Sequence, residues 1–229
     1  KIADLIISDN QGIEDYLKAE YGDVASTVIA YGTNPVARDS EIDTTWFDAQ
    51  GVKLKDYYLV VGRFVPENNY EAIIRNFMAS DTTRDLVIIT NHQGNPYFDK
   101  LREITGFEQD KRVKFVGTVY NKKTLTAIRQ QAFAYIHGHA VGGTNPGLLE
   151  AMGATDLNLV YDVSFNRNVA LDSALFWQLD NLTALIAQAE KLETLEIDQL
   201  ATRARAIIAE KYTWERIVTQ YERLFLNEN

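Results

Sequence analysis

At 229 residues, with a hydrophobic share of 46%, the chain is long enough for one large α/β domain or one domain with attached pieces. It contains no cysteine, which excludes disulfides and thiolate metal sites, and its three histidines support a histidine metal site only thinly, so no metal is expected. A formal net charge of −9 disfavours a phosphate-backbone partner, so no nucleic acid is expected, although a local basic site or a helix N-terminus can still hold a small anion.

In chain order, residues 1–31 carry two short β-type runs, Asp4–Ser8 and Thr27–Tyr31, around a helix bearing Ile13, Tyr16 and Leu17. Residues 36–56 are polar and irregular and read as a linker. From residue 57 to 177, β-type runs alternate with helical patterns. The runs Tyr57–Gly62, Leu86–Thr90, Val113–Gly117, Phe133–His137, Leu157–Tyr161 and, more weakly, Ala174–Trp177 are mostly continuous in apolar residues, as strands of a parallel sheet covered on both faces are. After the first run, Tyr70, Ile73, Ile74, Phe77 and Met78 form one apolar helical face. Pro96 to Gly106 carries a helix start and a helix stop signal, Lys122 to Gln131 is a third helix, and Pro146 to Met152 a short fourth. This alternation predicts an α/β, Rossmann-like, doubly wound parallel sheet. The tail from Leu182 is helical; its acidic stretch 190–198 reads as a solvated face. Trp214, Ile217, Val218, Tyr221, Leu224 and Phe225 make a wide apolar stripe that must cover something. No stretch approaches the roughly 18 apolar residues of a membrane span, and no segment reads as a secretory leader.

The segment richest in chemistry runs from His137 to Gly153. It follows a buried-type strand and opens a helix, placing it at the carboxyl end of the sheet, where open α/β folds bind ligands. Gly142 and Gly143 allow close backbone approach, Thr144 or Asn145 is a good helix cap, and Pro146 suits the first helical position. The amides of Gly147 and Leu148 would then point outward and attract an anion such as a diphosphate. Glu150 lies one turn further, where a ribose diol could give its carboxylate two donors; the plainer alternative is a capping loop followed by a half-exposed surface glutamate. His137 and His139 are expected on opposite faces of their strand.

A second segment, Val60 to Asn69, puts Gly62 and Arg63 at a strand end facing the same crevice. Arg63 either clamps phosphate oxygens with its forked donors or is a surface arginine paired with Glu67. A third, Val113 to Tyr120, ends in Gly117 and Thr118 with Tyr120 available to stack on a base, or is an ordinary turn. The polar loop with Asn91, after the second strand, sits at the same sheet edge. No Gly-x-Ser-x-Gly elbow and no Walker-type phosphate loop is present.

These segments occur together in the order of one family. Val-Gly-Arg-Phe-Val-Pro-Glu-Asn-Asn, the run from His137 to Gly153, and Tyr212-Thr-Trp-Glu-Arg-Ile-Val resemble retaining glycosyltransferases of family 4, the group 1 type with the two-domain GT-B fold. More narrowly, the chain looks like bacterial rhamnosyltransferases of capsule and cell-wall polysaccharide synthesis. The resemblance implies the carboxy-terminal, donor-binding half of such an enzyme. Residues 1–35 would end the amino-terminal, acceptor-binding domain, residues 36–212 would form the Rossmann-like donor domain, and residues 213–229 would be a helix crossing back toward the first. The donor would be dTDP-rhamnose or a UDP-sugar. The acceptor would be a saccharide or lipid-linked saccharide bound mainly by the amino-terminal domain.

By this resemblance Arg63 serves the diphosphate and Glu150 the ribose, and these two act in transfer. The Gly143-Thr144-Asn145-Pro146-Gly147-Leu148 loop takes diphosphate and sugar, with His139 beside it, and Gly117, Thr118 and Tyr120 take the base. Two departures stand out. Asn68 occupies the place of a common lysine, and Gly142 the place of a common glutamate that contacts the sugar. Catalysis would rest on placing the donor and stabilising the leaving diphosphate, which needs positive potential rather than paired carboxylates. No cofactor is implied; the location implied is cytoplasmic, with peripheral association at the inner face of the membrane. The chain alone is expected to bind donor without transferring it. Rival readings are a nucleotide-sugar-binding module without transferase activity and a sugar-nucleotide epimerase-like domain.

Overall fold

The computed structural model describes residues 3–37 and 42–226. The chain opens with strand β1 (Ile6–Ser8), helix α1 (Gln11–Tyr21) and strand β2 (Ser26–Val28), and β1 and β2 pair in parallel as a two-stranded sheet. After helix α2 (Thr45–Gln50), the main body alternates β3 (Tyr57–Val61), α3 (Tyr70–Met78), β4 (Asp85–Ile89), α4 (Pro96–Thr105), β5 (Val113–Gly117), α5 (Lys122–Gln131), β6 (Ala134–His137), α6 (Pro146–Ala154), β7 (Asn158–Tyr161), α7 (Ser164–Ala170) and β8 (Leu175–Trp177). Helices α8 (Leu182–Ala189), α9 (Thr194–Lys211) and α10 (Trp214–Leu226) complete it.

The six strands β3 to β8 form one parallel sheet in the order β5-β4-β3-β6-β7-β8. Counted from β3, that is the order 3-2-1-4-5-6 of the doubly wound dinucleotide fold, whose direction reverses between β3 and β6. The apolar runs fill both faces. Tyr58, Val60, Leu86 and Ile88 point into one core with Ile73, Phe77 and Leu101, while Tyr57, Leu59, Val87 and Ile89 point into another with Phe47, Ile128 and Ala151. Period-two alternation with apolar residues at every position requires this double cover.

Local signals place the helix ends. Asn95 accepts a hydrogen bond from the Tyr97 amide ahead of Pro96, and Gly106 closes α4 in the left-handed region at φ 64°. Helix α9 begins with a capping box between Glu193 and Glu196.

Four expectations change. The linker read at residues 36–56 contains α2, whose Phe47 is buried against Tyr57; one turn with few apolar residues shows no period. Residues 38–41 of that stretch lie outside the described residues. Helix α7 was not expected; its Asn166 donates to the carbonyls of Tyr161 and His139, which no local pattern announces. The acidic stretch is not wholly solvated, because Glu190 accepts hydrogen bonds from Tyr58 (3.0 Å) and Thr82 (2.6 Å) and pairs with Arg84. The stripe on α10 is only partly covered. Ile217 is buried beside β1, α1 and the segment Ile29 to Tyr31, and Trp214 packs so closely on Gly32 that a Cβ there would lie 2.7 Å from its ring, but Val218 and Phe225 are exposed. Among the described residues no helix is long and apolar enough to cross a membrane.

Candidate functional site

The loops after β3 and β6 enclose a cleft of about 400 Å³ at the point where the strand order reverses. From that point the chain leaves β3 toward β4 and leaves β6 toward β7, so the loops after the two strands part there and leave a crevice. The crevice is nonetheless stitched. Asn69, itself left-handed at φ 55°, donates to the Gly138 carbonyl (2.9 Å), and the Ala140 amide donates to the Glu67 carbonyl (2.9 Å). Position 138 tolerates only glycine in this arrangement, because a Cβ would fall 2.2 Å from the Asn68 carbonyl oxygen.

Arg63 lines the cleft with an exposed side chain and, among the described residues, forms no ion pair, so the pairing with Glu67 is absent. Gly62 also lines it, but its amide bonds to the Ile89 carbonyl and its carbonyl accepts from Tyr70 and Thr90. It therefore shapes the wall rather than offering peptide groups. Asn68, standing where a lysine was expected by resemblance, donates to the Arg63 carbonyl (2.7 Å) and faces His139 Nδ1 at 2.8 Å. With the amide nitrogen of Asn68 engaged, its Oδ1 must accept, so Nδ1 of His139 carries the proton and Nε2 is the free acceptor. Burial and then the Arg63 charge lower the pKa of His139, against the opposing effect of Glu67, which favours this neutral form.

His137 and His139, expected on opposite faces, share one. Alternate residues of a strand point the same way, and their rings lie 6.2 Å apart, both lining the cleft. Burial pushes the His137 imidazole down to about 3, and its Nε2 has no hydrogen-bond partner. Among the described residues no group of acidic or histidine side chains could hold a metal ion.

Helix α6 starts as expected but presents different amides. Asn145 caps it through its side chain, which accepts from the Gly147 amide (2.8 Å), and its carbonyl accepts from the Leu148 amide (3.0 Å). The two amides expected to face an anion are thus engaged in capping. Those of Gly142, Gly143 and Asn145 meet no protein acceptor among the described residues, which moves the donor set from the helix into the glycine loop. Thr144 is buried, and its hydroxyl donates to the Asp9 carbonyl (2.5 Å). Gly143 lies against Asp9, whose Oδ1 would be 1.9 Å from a Cβ at that position. Thus Gly142 carries no carboxylate, yet Asp9 brings one to the next residue. Burial raises the Asp9 carboxyl, opposed by hydrogen bonding from its own amide and that of Thr144.

Glu150 projects into the cleft with its side chain 48% exposed, and Oε2 lies 2.6 Å from Nη2 of Arg129, whose side chain is 6% exposed. Arg129 belongs to α5 and was not expected in the site. A single arginine in Leu-Thr-Ala-Ile-Arg-Gln gives no signal of burial, and only the packing of α5 beside α6 brings it to Glu150. Asn91, Gly117, Thr118 and Tyr120 are not brought into the cleft. They follow β4 and β5, and at about 4.8 Å between strands β5 lies roughly 10 Å from β3. Tyr120 is 88% exposed there, and the His92 ring beside Asn91 packs on Phe98 and Phe115.

A domain of unknown function, DUF1972, matches residues 1–34. No curated protein sequence matches the chain. Among solved structures, Anabaena HepE in complex with UDP and glucose superposes with a TM-score of 0.83 at 17% identity, over 97% of this chain and 63% of its own. Sucrose-phosphate synthase from Thermosynechococcus elongatus gives a TM-score of 0.80 at 17% identity, over 98% of this chain and 58% of its own. A glycosyltransferase from Rickettsia africae gives 0.83 at 11% identity, over 97% and 62%. The chain therefore spans about six tenths of the length of these proteins and shares their GT-B fold over that span, Rossmann-like sheet and helical tail included.

Proposed function

We propose that this chain binds the nucleotide-sugar donor of a glycosyltransferase in the cleft between β3 and β6. One observation supports this above the others. Arg63 and the Asn145 amide, both without a protein partner among the described residues, and the Glu150 carboxylate line the crevice at the switch point of a GT-B fold. Arg63 and the Asn145 amide suit a diphosphate, which accepts hydrogen bonds only. Glu150, held by Arg129 through one oxygen, keeps the other for a ribose hydroxyl. The base would lie along the sheet edge over β4 and β5, near Asn91, Gly117, Thr118 and Tyr120.

The fuller reading is a retaining hexosyltransferase that passes rhamnose from dTDP-rhamnose, or a sugar from a UDP-sugar, to a growing bacterial surface polysaccharide. The structure of HepE with UDP-glucose gives a precedent for a donor of that class on this fold. In this reading residues 1–35 close the acceptor-binding domain, residues 36–212 are the donor domain and residues 213–229 cross back. The protein works in the cytoplasm, at the inner face of the membrane, without metal or other cofactor.

The test is calorimetric titration of the chain with UDP, dTDP, GDP and ADP. UDP or dTDP should bind. Arg63→Ala should weaken that binding at least tenfold, since a hydrogen bond to a charged group contributes about 1.5–3 kcal/mol, or roughly 10- to 150-fold. The melting temperature should hold, because Arg63 forms no ion pair among the described residues. No binding by any of the four nucleotides would sink the reading.

A further inference from the structure

The glycine loop between β6 and α6 has donors on its own backbone and acceptors on both flanks. The amides of Gly142 and Gly143 meet no protein acceptor among the described residues. On one side stands His139, whose Nε2 is left as an acceptor by the Asn68 contact and would be 3.1 Å from a Cβ at Gly142. On the other stands Asp9, at the end of β1, with Oδ1 against Gly143. Its position is fixed by three further bonds. The Thr144 hydroxyl donates to the Asp9 carbonyl, and Asn10 donates to Thr144 Oγ1 (3.4 Å) and to the Phe165 carbonyl (3.2 Å).

A diphosphate needs donors alone, and a carboxylate beside it repels it. A sugar hydroxyl needs an acceptor as well as a donor. The juxtaposition of free amides with a carboxylate and an imidazole lone pair therefore matches a sugar hydroxyl group next to the diphosphate, rather than more phosphate. We propose that the Asp9 carboxylate binds a hydroxyl of the donor's sugar and sets which sugar the site accepts. This rests on the donor-site reading given above and adds to it a specificity residue from the β1–α1–β2 unit.

The variant Asp9→Asn keeps an oxygen for the Thr144 amide and removes the charge. Titrations of the chain with UDP against UDP-glucose, and dTDP against dTDP-rhamnose, separate the two parts of the ligand. Asp9→Asn should bind the free nucleotide within twofold of wild type and lose at least fivefold on the corresponding nucleotide-sugar. Asp9→Ser gives a second variant, and melting temperatures show that each is folded. Unchanged nucleotide-sugar binding overturns the proposal, and so does an equal loss on nucleotide and nucleotide-sugar, which marks a purely structural residue. If the wild type binds no nucleotide, the donor-site reading itself fails and this one with it; failure of Asp9→Asn alone leaves that reading standing.

Discussion

Arg129 and Glu150 form an ion pair whose two ends see different surroundings, and their removal should differ accordingly. Glu150→Ala leaves a guanidinium whose side chain is 6% exposed and whose Nε already lacks a partner. Orphaning one member of a buried pair costs about 3–5 kcal/mol, and the half-exposed carboxylate places this pair at the low end, about 3 kcal/mol. Arg129→Met leaves instead a carboxylate 48% exposed, which water reaches, while methionine keeps most of the apolar stem; the cost should be about 1 kcal/mol. For a chain of this size each kcal/mol moves the melting temperature by about 2–4 °C. Glu150→Ala should therefore lower it by roughly 6–12 °C and Arg129→Met by roughly 2–4 °C. The double variant should be more stable than Glu150→Ala alone, because it no longer buries an unpaired charge. Thermal melts and urea midpoints of the four proteins measure this. A loss on Glu150→Ala no greater than on Arg129→Met, or strict additivity in the double variant, would refute the reasoning. If Arg129 also orients Glu150 toward the ribose, Arg129→Met should weaken UDP or dTDP binding as well.

Gly138→Ala should destabilise by about 2–3 kcal/mol, since its Cβ would sit 2.2 Å from a backbone oxygen that cannot swing away; an unchanged melting temperature would count against the interlock of the two loops. The buried His137 gives a pH dependence. Its ordinary value near 6.5 falls to about 3 in the folded state, so below pH 6.5 the unfolded chain takes up a proton that the folded chain refuses. Stability then falls with decreasing pH across this window, at a limiting slope of about 1.4 kcal/mol per pH unit. Between pH 6.5 and 5, where ordinary carboxylates remain ionised, His137→Phe should flatten the dependence of the urea midpoint, and equal slopes in variant and wild type would remove His137 as its cause.

The sheet is legible in the sequence because its determinants are local. Strands such as β3 and β4 are built on apolar runs, Tyr57–Val61 and Leu86–Ile89, and helices such as α4 carry proline, asparagine and glycine at their ends. Helices α2 and α7 escaped because their stability comes from distant partners, Phe47 on Tyr57 and Asn166 on the His139 carbonyl, rather than from a period of their own. The cleft divides in the same way. The order of segments located Arg63, His139 and Glu150 at one end of one sheet, since any residue just past a parallel strand emerges there. What each does with its hydrogen bonds was decided only by tertiary contacts. Capping diverted the Gly147 and Leu148 amides to Asn145, and helix packing supplied Arg129 to Glu150. The fold of the first strand placed Asp9 against Gly143, across most of the chain's length. Sequence by itself determines which elements form and which loops share an edge, because backbone preference and apolar period act over a few residues. The pairing of polar groups across loops is set by where whole elements pack, and that information exists only in the folded chain.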